Sequence, residues 1–323
     1  MGVSVMLHED GRSTESTLER AVEILRQGDG AALWVDFDGE IAPAQRKVLE
    51  EEFAIHPLVV EDLEQDYALP KLEEFPGQVY VCLHAVRQDS PVEELEFHEV
   101  DLVCSARWVV THHRGARAIA SVRHDVLRGK PLFERGAPFV MHALLDRIVD
   151  DYLPKTEAFD DELDQLEEAV LRGALTQTTV ERTFVLKRSL FALRRIATYQ
   201  REMLMRLARQ GTEAIPEAAL PFFRDVCDHM TQVLFLTDSY RELASNILEM
   251  HLSMQGNRLN EVMKTLTMFS TLLLPLSLVA GIYGMNFEAM PELKWRLGYP
   301  FALGVMAVIA LGILYYFRRK RWL

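Results

Sequence analysis

Seven residues near the C-terminal end recur three and four positions apart: Asn260, Met263, Thr267, Ser270, Leu274, Ser277 and Gly281. At about 100° per residue they fall on one helix in a stripe about 100° wide. Amide and hydroxyl groups on such a stripe can hold water along a path. Met263 and Leu274 would then form apolar rings able to gate by dewetting. Small residues on a stripe also let membrane helices pack closely. Composition leaves both uses open, while Phe269, Leu272, Leu276 and Val279 face elsewhere on the same helix.

The element that carries the stripe is an uncharged apolar run. No Asp, Glu, Lys, Arg or His occurs from Thr265 to Phe287, a run of 23 residues, and none from Leu297 to Phe317, a run of 21. At ~1.5 Å per helical residue, each covers ~30 Å, the thickness of a bilayer's hydrocarbon core. Two such runs back to back predict a membrane hairpin rather than a buried core helix. Arg318, Arg319, Lys320 and Arg321 follow the second run, and Arg258 and Lys264 precede the first. The loop balances Glu288 and Glu292 against Lys294 and Arg296. The positive-inside rule therefore predicts a multi-pass protein of the cell (inner) membrane with both termini cytoplasmic.

The 323 residues suffice for a sizeable soluble core plus this hairpin, and the net charge of −13 makes the soluble part acidic. That argues against a nucleic-acid partner and suits cation-attracting surfaces. Cys82, Cys104 and Cys227 are scattered with no CxxC, which fits a reducing compartment. The N-terminus has no apolar segment of the signal-peptide kind. GxGxxG, P-loop and GxSxG patterns are absent. The pair His112-His113 has no second ligand pair at helical or loop spacing, so it reads as a surface pair at a strand end.

Three regions are expected: an α/β domain at 1–135, a helical hairpin and stalk helix at 136–264, and a transmembrane hairpin at 265–323. In the first, Thr17–Gln27, Ala42–Phe53 and Ala116–Leu127 have helical character. Ala31–Phe37, Gln78–Val86 and Glu99–His112 read as β. In the second, Met141–Leu171 is an acidic helix in which Pro154 is a local irregularity. Val180–Gln210 is a basic helix, and Gly173 with Thr176–Thr179 supplies the turn between them. Opposite charge predicts an antiparallel pair with complementary faces. Between Pro221 and Pro275 there is no proline and one glycine, Gly256. A helix should therefore run from about Phe222 to Tyr283, ~90 Å if unbroken. The fold class is thus an α+β multi-domain membrane protein: an N-terminal α/β cytoplasmic domain, a long helical stalk and two C-terminal transmembrane helices.

The triplet Gly284-Met285-Asn286 stands directly after the first apolar run. Tyr283 precedes it, Phe287 and Met290-Pro291-Glu292-Leu293 follow, and the chain ends in a basic cluster with Trp322-Leu323. This arrangement resembles the CorA family of divalent-cation channels. The resemblance extends through Asn260-Glu261-Val262-Met263-Lys264, Tyr240-Arg241-Glu242 and the segment Pro221 to His229. More loosely it covers Lys187 to Leu190 and His56 to Asp62. It implies a funnel-shaped homopentamer in the lipid bilayer that conducts Mg2+, with the first spans lining the pore. Asn286 would then stand at the outer mouth with Gly284 and Met285. A ring of neutral amides can accept hydrogen bonds from the waters of an ion that releases its shell reluctantly.

The resemblance further implies closure by regulatory Mg2+ bound between neighbouring cytoplasmic domains. Asp225 matches the family's carboxylate on the stalk helix. Its partner on the head is Asp89 or a residue of the acidic helix, Asp161 or Asp164, with Asp160 a further candidate. Two departures stand out. Ser277 replaces the Thr often found in the family and keeps the hydroxyl. Gly256 lies where a helix former is expected, and is a candidate bending point. The expected function is passive Mg2+ influx driven by membrane potential. The alternative within the superfamily is transport of Co2+, Ni2+ or Zn2+, although the stripe has neither His nor Cys to favour those ions. The alternative of another class, a membrane-anchored sensor or enzyme, would need a catalytic constellation in the head, and the sequence contains no recognisable one.

Overall fold

The computed structural model describes residues 2–9, 11–28, 31–65, 69–173, 177–285, 290–291 and 295–322. The chain divides into two compact units, Met1–Leu248 and Glu249–Leu323. The elements in order are β1 (Gly2–Glu9), β2 (Arg12–Ser16), α1 (Leu18–Gln27), β3 (Ala32–Asp38), α2 (Pro43–Glu51), α3 (Pro57–Glu64), β4 (Lys71–Phe75), β5 (Gln78–Val86), β6 (Phe97–Ser105) and β7 (Trp108–His113). They continue with α4 (Arg117–Leu127), α5 (Ala137–Asp150), α6 (Leu153–Leu171), α7 (Gln177–Leu207), α8 (Leu220–Tyr283) and α9 (Gly298–Arg319).

The first unit is built on a seven-stranded sheet of order β2-β1-β3-β7-β6-β5-β4. Among the described residues, only β3 and β7 are parallel neighbours. Side chains alternate across the sheet, so its two faces carry different cargo. On one face Leu33, Val35, Phe37, Tyr80, Val103, Trp108 and Val110 join a core with Ile24 of α1, Leu49 of α2 and Val59, Val60 and Leu63 of α3. The other face packs against α5, which in turn meets α4. Local signals set the helix ends. Thr17 caps α1, its hydroxyl accepting from the Arg20 amide, and Gly28 at φ 72° stops it. Pro43 and Pro57 stand in the first turns of α2 and α3, where a missing N–H costs nothing.

Several elements differ from the sequence expectation. The β-rich stretch Glu99–His112 is two strands, β6 and β7, paired antiparallel across a turn at 106–107. The acidic run is two helices. Pro154 starts α6 rather than interrupting a longer helix. The break falls at Asp151-Tyr152, where the fully buried Tyr152 hydroxyl donates to the His84 carbonyl. Strand β1 becomes a strand through its partner, with Met6 opposite Trp34 on β3. The expected complementarity of α6 and α7 rests on Arg182, which pairs with Glu162 of α6 and with Glu93 at 3.3 Å. Arg194 of α7 instead reaches Asp238 of α8, at 2.6 Å. Thr176, at one end of the expected turn, lies outside the described residues.

The pair His112-His113 ends a strand but is not on the surface; each residue is 5% exposed. Strand β7 is central, so both of its faces are covered. Nδ1 of His113 accepts from the Ala116 amide at 3.0 Å, which leaves Nε2–H facing Asp36 at 3.2 Å. Asp36 also accepts from the Thr111 hydroxyl at 2.6 Å, and Thr111 accepts from the Trp34 indole at 2.9 Å.

Candidate functional site

Among the described residues of the second unit, two helices are long and apolar enough to cross a membrane: the end of α8, and α9. Partly buried residues on α8 recur as Lys264, Met268, Leu272, Pro275, Leu276, Val279 and Tyr283. On α9 they recur as Ala302, Val305, Met306, Ile309, Ala310, Ile313 and the buried Phe317. Both sets have three–four spacing, so each helix turns one stripe inward, and we read these stripes as the packing face between the spans. A hydrogen bond from Lys264 Nζ to the Arg321 carbonyl at 3.5 Å links the helix ends.

All seven residues of the polar stripe, Asn260, Met263, Thr267, Ser270, Leu274, Ser277 and Gly281, are exposed. At about 100° per residue their stripe is centred roughly 150° away from the partly buried one. The single chain therefore leaves them uncovered. The Thr267 hydroxyl donates to the Met263 carbonyl at 2.7 Å, which satisfies its proton while leaving oxygen lone pairs outward. Pro275 removes one amide from the helix ladder, on the packed side.

After Tyr283 the backbone tightens. The Gly284 amide donates to the Ala280 carbonyl at 2.9 Å, and the Met285 amide to Ile282 at 3.2 Å. A Cβ on Gly284 would lie 3.1 Å from the Ala280 oxygen, a close approach that only glycine makes without displacement. Asn286 and Phe287 lie outside the described residues, as do Glu288, Glu292, Leu293 and Lys294.

In the first unit, Asp225 of α8 comes together with His229 on the same helix and Asp146 of α5. One ligand atom from each lies within 4.8 Å of the others. Asp225 and His229 are four residues apart, hence on one helical face, with Nε2 to Oδ2 at 3.9 Å. Nδ1 of His229 faces Asp150 at 3.1 Å and Asp146 at 3.7 Å. Burial, then repulsion from Asp150, pushes the Asp146 carboxyl above the usual range. Burial pushes the neighbouring His142 imidazole down, against Phe222 and Phe223. Three carboxylates beside imidazoles form a pocket of negative potential that a divalent cation would relieve.

The other expected carboxylates stand elsewhere within one chain, all exposed. Asp89 follows β5 near Lys155, whose ammonium donates to the carbonyls of Gln88 at 2.7 Å and Ser90 at 2.5 Å. Asp161 and Asp164 lie on α6, where Tyr240 borders Asp160 and Asp164. The sequence expectation omitted Asp146 as a ligand. Its available signal was the repeated four-residue spacing, Asp146 to Asp150 on one helix and Asp225 to His229 on the other.

Comparison with known proteins agrees with this architecture. The profile of the family described as CorA-like Mg2+ transporter protein matches residues 29–319. A cobalt/magnesium transport protein CorA of Thermotoga maritima is 39% identical over 296 residues, covering 90% of this chain and 83% of the relative. The complete structure of the CorA magnesium transporter from Methanocaldococcus jannaschii superposes with a TM-score of 0.83 at 22% identity, over 99% of this chain and 98% of that one. The ZntB cytoplasmic domain from Vibrio parahaemolyticus gives a TM-score of 0.56 at 15% identity, over 80% and 99%. These two structures share the fold. With the family profile spanning most of its length and two bilayer-length helices at its end, the chain belongs to the CorA-like Mg2+ transporter family, a family of membrane transporters and not of enzymes.

Proposed function

We propose that this chain is a Mg2+ channel that assembles as a funnel-shaped homopentamer in the cell membrane, with both termini in the cytoplasm. The observation that carries this reading is the uncharged polar stripe from Asn260 to Gly281, exposed on the side of α8 away from its partly buried stripe. Symmetry-related copies of that stripe would enclose a path of amide and hydroxyl oxygens with apolar rings at Met263 and Leu274. A hydrated divalent ion can move past such oxygens without losing its shell, whereas charged ligands would retain it. Asn286, with Gly284 and Met285, would form the outer mouth. Influx needs no coupling ion: a divalent ion entering across 100 mV, inside negative, gains about 4.6 kcal/mol. Neither charge-free run contains an Asp, Glu, His, Lys or Arg to relay a proton.

Regulation follows from Asp225. Mg2+ held there would keep the channel closed, and its loss at low internal Mg2+ would open it. Asp146 and His229 supply ligands from the same chain, and Asp89, Asp161 or Asp164 would supply a carboxylate from a neighbouring copy. A second reading is Co2+ transport, favoured by the cobalt in the description of the 39% identical Thermotoga relative; Ni2+ belongs to the same comparison. Reconstitution in liposomes tests both. Purified protein should pass Mg2+ at low internal Mg2+, and Asn286→Ala should abolish that flux. Absence of flux from the unmodified protein refutes the channel. Co2+ or Ni2+ flux that exceeds Mg2+ flux at equal concentration favours the second reading.

A further inference from the structure

A buried lysine stands where helix electrostatics disfavour a cation. Lys155 is 6% exposed and is the third residue of α6, in its first turn. The amide dipoles of a helix favour anions at that end and oppose a positive charge. Burial adds a second penalty, because a charge taken out of water needs partners. A sequence that breaks two local rules at one residue does so where function constrains it.

What the ammonium holds is the loop after β5. It donates to the Gln88 carbonyl at 2.7 Å and to the Ser90 carbonyl at 2.5 Å. Asp89 stands between those two residues, exposed, and is a countercharge to the ammonium. Further bonds fix both flanks. The Gln88 side-chain amide donates to the Asp151 carbonyl at 2.6 Å, and the Ser90 hydroxyl donates to the Arg87 carbonyl at 2.8 Å. Asp89 therefore has a pinned backbone and an open carboxylate. The anchor is the corner between α5 and α6. Asp150, the residue before Asp151, faces His229 of α8 at 3.1 Å. The loop of Asp89 and the cluster of Asp146, Asp225 and His229 are thus tied to two consecutive residues.

We propose that Lys155 is a positioning residue of the regulatory machinery. It fixes Asp89 relative to Asp146, Asp225 and His229, so that the ion-binding carboxylates of one chain move as one body. This rests on the reading of Asp89 as the carboxylate that one chain offers to the Asp225 of a neighbouring copy. An ion shared between two chains is held tightly when both contributors are already in place, since ordering a loose loop weakens binding. The charge of Lys155 acts in the opposite sense, because a cation beside Asp89 repels Mg2+. Positioning and charge therefore call for opposite shifts when Lys155 is replaced, and the sign separates them.

The test measures the internal Mg2+ that half-closes the full-length protein in liposomes, each variant scaled to its own flux without internal Mg2+. Lys155→Met removes both donors and should raise that concentration at least about tenfold, the usual effect of losing an outer partner of a metal ligand. Gln88→Ala removes one neutral bond and no charge. It should raise the concentration about fivefold, and it carries the test if Lys155→Met fails to fold. Asp89→Asn supplies the background that distinguishes positioning from general damage. In that background neither variant should shift closure further. A fall in Lys155→Met would show that its charge outweighs its bonds and would overturn the proposal. So would unchanged closure in Gln88→Ala, or shifts that persist in Asp89→Asn. Unchanged closure in Asp89→Asn by itself would remove Asp89, and the proposal with it, while leaving the Asp225 site to its own test.

Discussion

Asp225→Asn is the sharpest test of the regulatory reading. Asp225, Asp146 and His229 bring ligand atoms within 4.8 Å of one another. An Mg2+ ion that keeps its inner waters sits about 4 Å from each carboxylate oxygen, where two unit charges interact by about 1 kcal/mol in water. The Asp225 side chain is 68% exposed, so the water value applies. A divalent ion doubles it, to about 2 kcal/mol, or roughly 30-fold in affinity. The internal Mg2+ that half-closes the channel should therefore rise about 30-fold in Asp225→Asn. Asp146→Asn should shift it in the same direction by at least as much, because that carboxylate is more buried and less screened. Removing its repulsion from Asp150 should also stabilise the ion-free fold. The assay is initial Mg2+ uptake into proteoliposomes loaded at graded internal Mg2+, with thermal melts of both variants. Half-closing concentrations that match the unmodified protein in both variants would refute the assignment.

Other outcomes follow from particular residues. Gly256→Ala meets no atom within 4 Å, so it fits the folded helix. It should stiffen α8 by about 1 kcal/mol per chain, and lower the half-closing Mg2+ up to about fivefold if the helix bends there on opening. An unchanged dependence would remove Gly256 from the mechanism. His142 is held neutral by burial, its imidazole pushed down. The unfolded chain binds that proton near pH 6.5 and the folded chain does not until lower pH. Stability should thus fall as pH drops below about 6.5, and His142→Phe should flatten that slope in urea unfolding at graded pH.

Much of this architecture can be read directly from residue types. A bilayer admits no unpaired charge, so the charge-free runs from Thr265 and Leu297 mark the spans without any knowledge of their neighbours. The absence of proline from 222 to 274 likewise announces α8, because helix continuity is a local property. Residues such as Val3, Val5 and Leu7 were not legible in this way. Their alternation is short, and they form a strand because β3 is there to pair with.

The sites divide along the same line. The sequence alone determined the polar stripe, since three–four spacing on one helix needs only helical geometry. Asp225 and the glycine at 284 were singled out by the family resemblance of the residues around them. Tertiary structure decided what stands beside them. Asp146 reaches Asp225 from a helix some eighty residues earlier, and His112 and His113 are buried because β7 lies between β3 and β6. Asp101 stands between Cys82 and His112 through antiparallel register, which a linear chain does not display. Periodicity reports which face a residue occupies; only packing reports which face it meets, and binding chemistry depends on both.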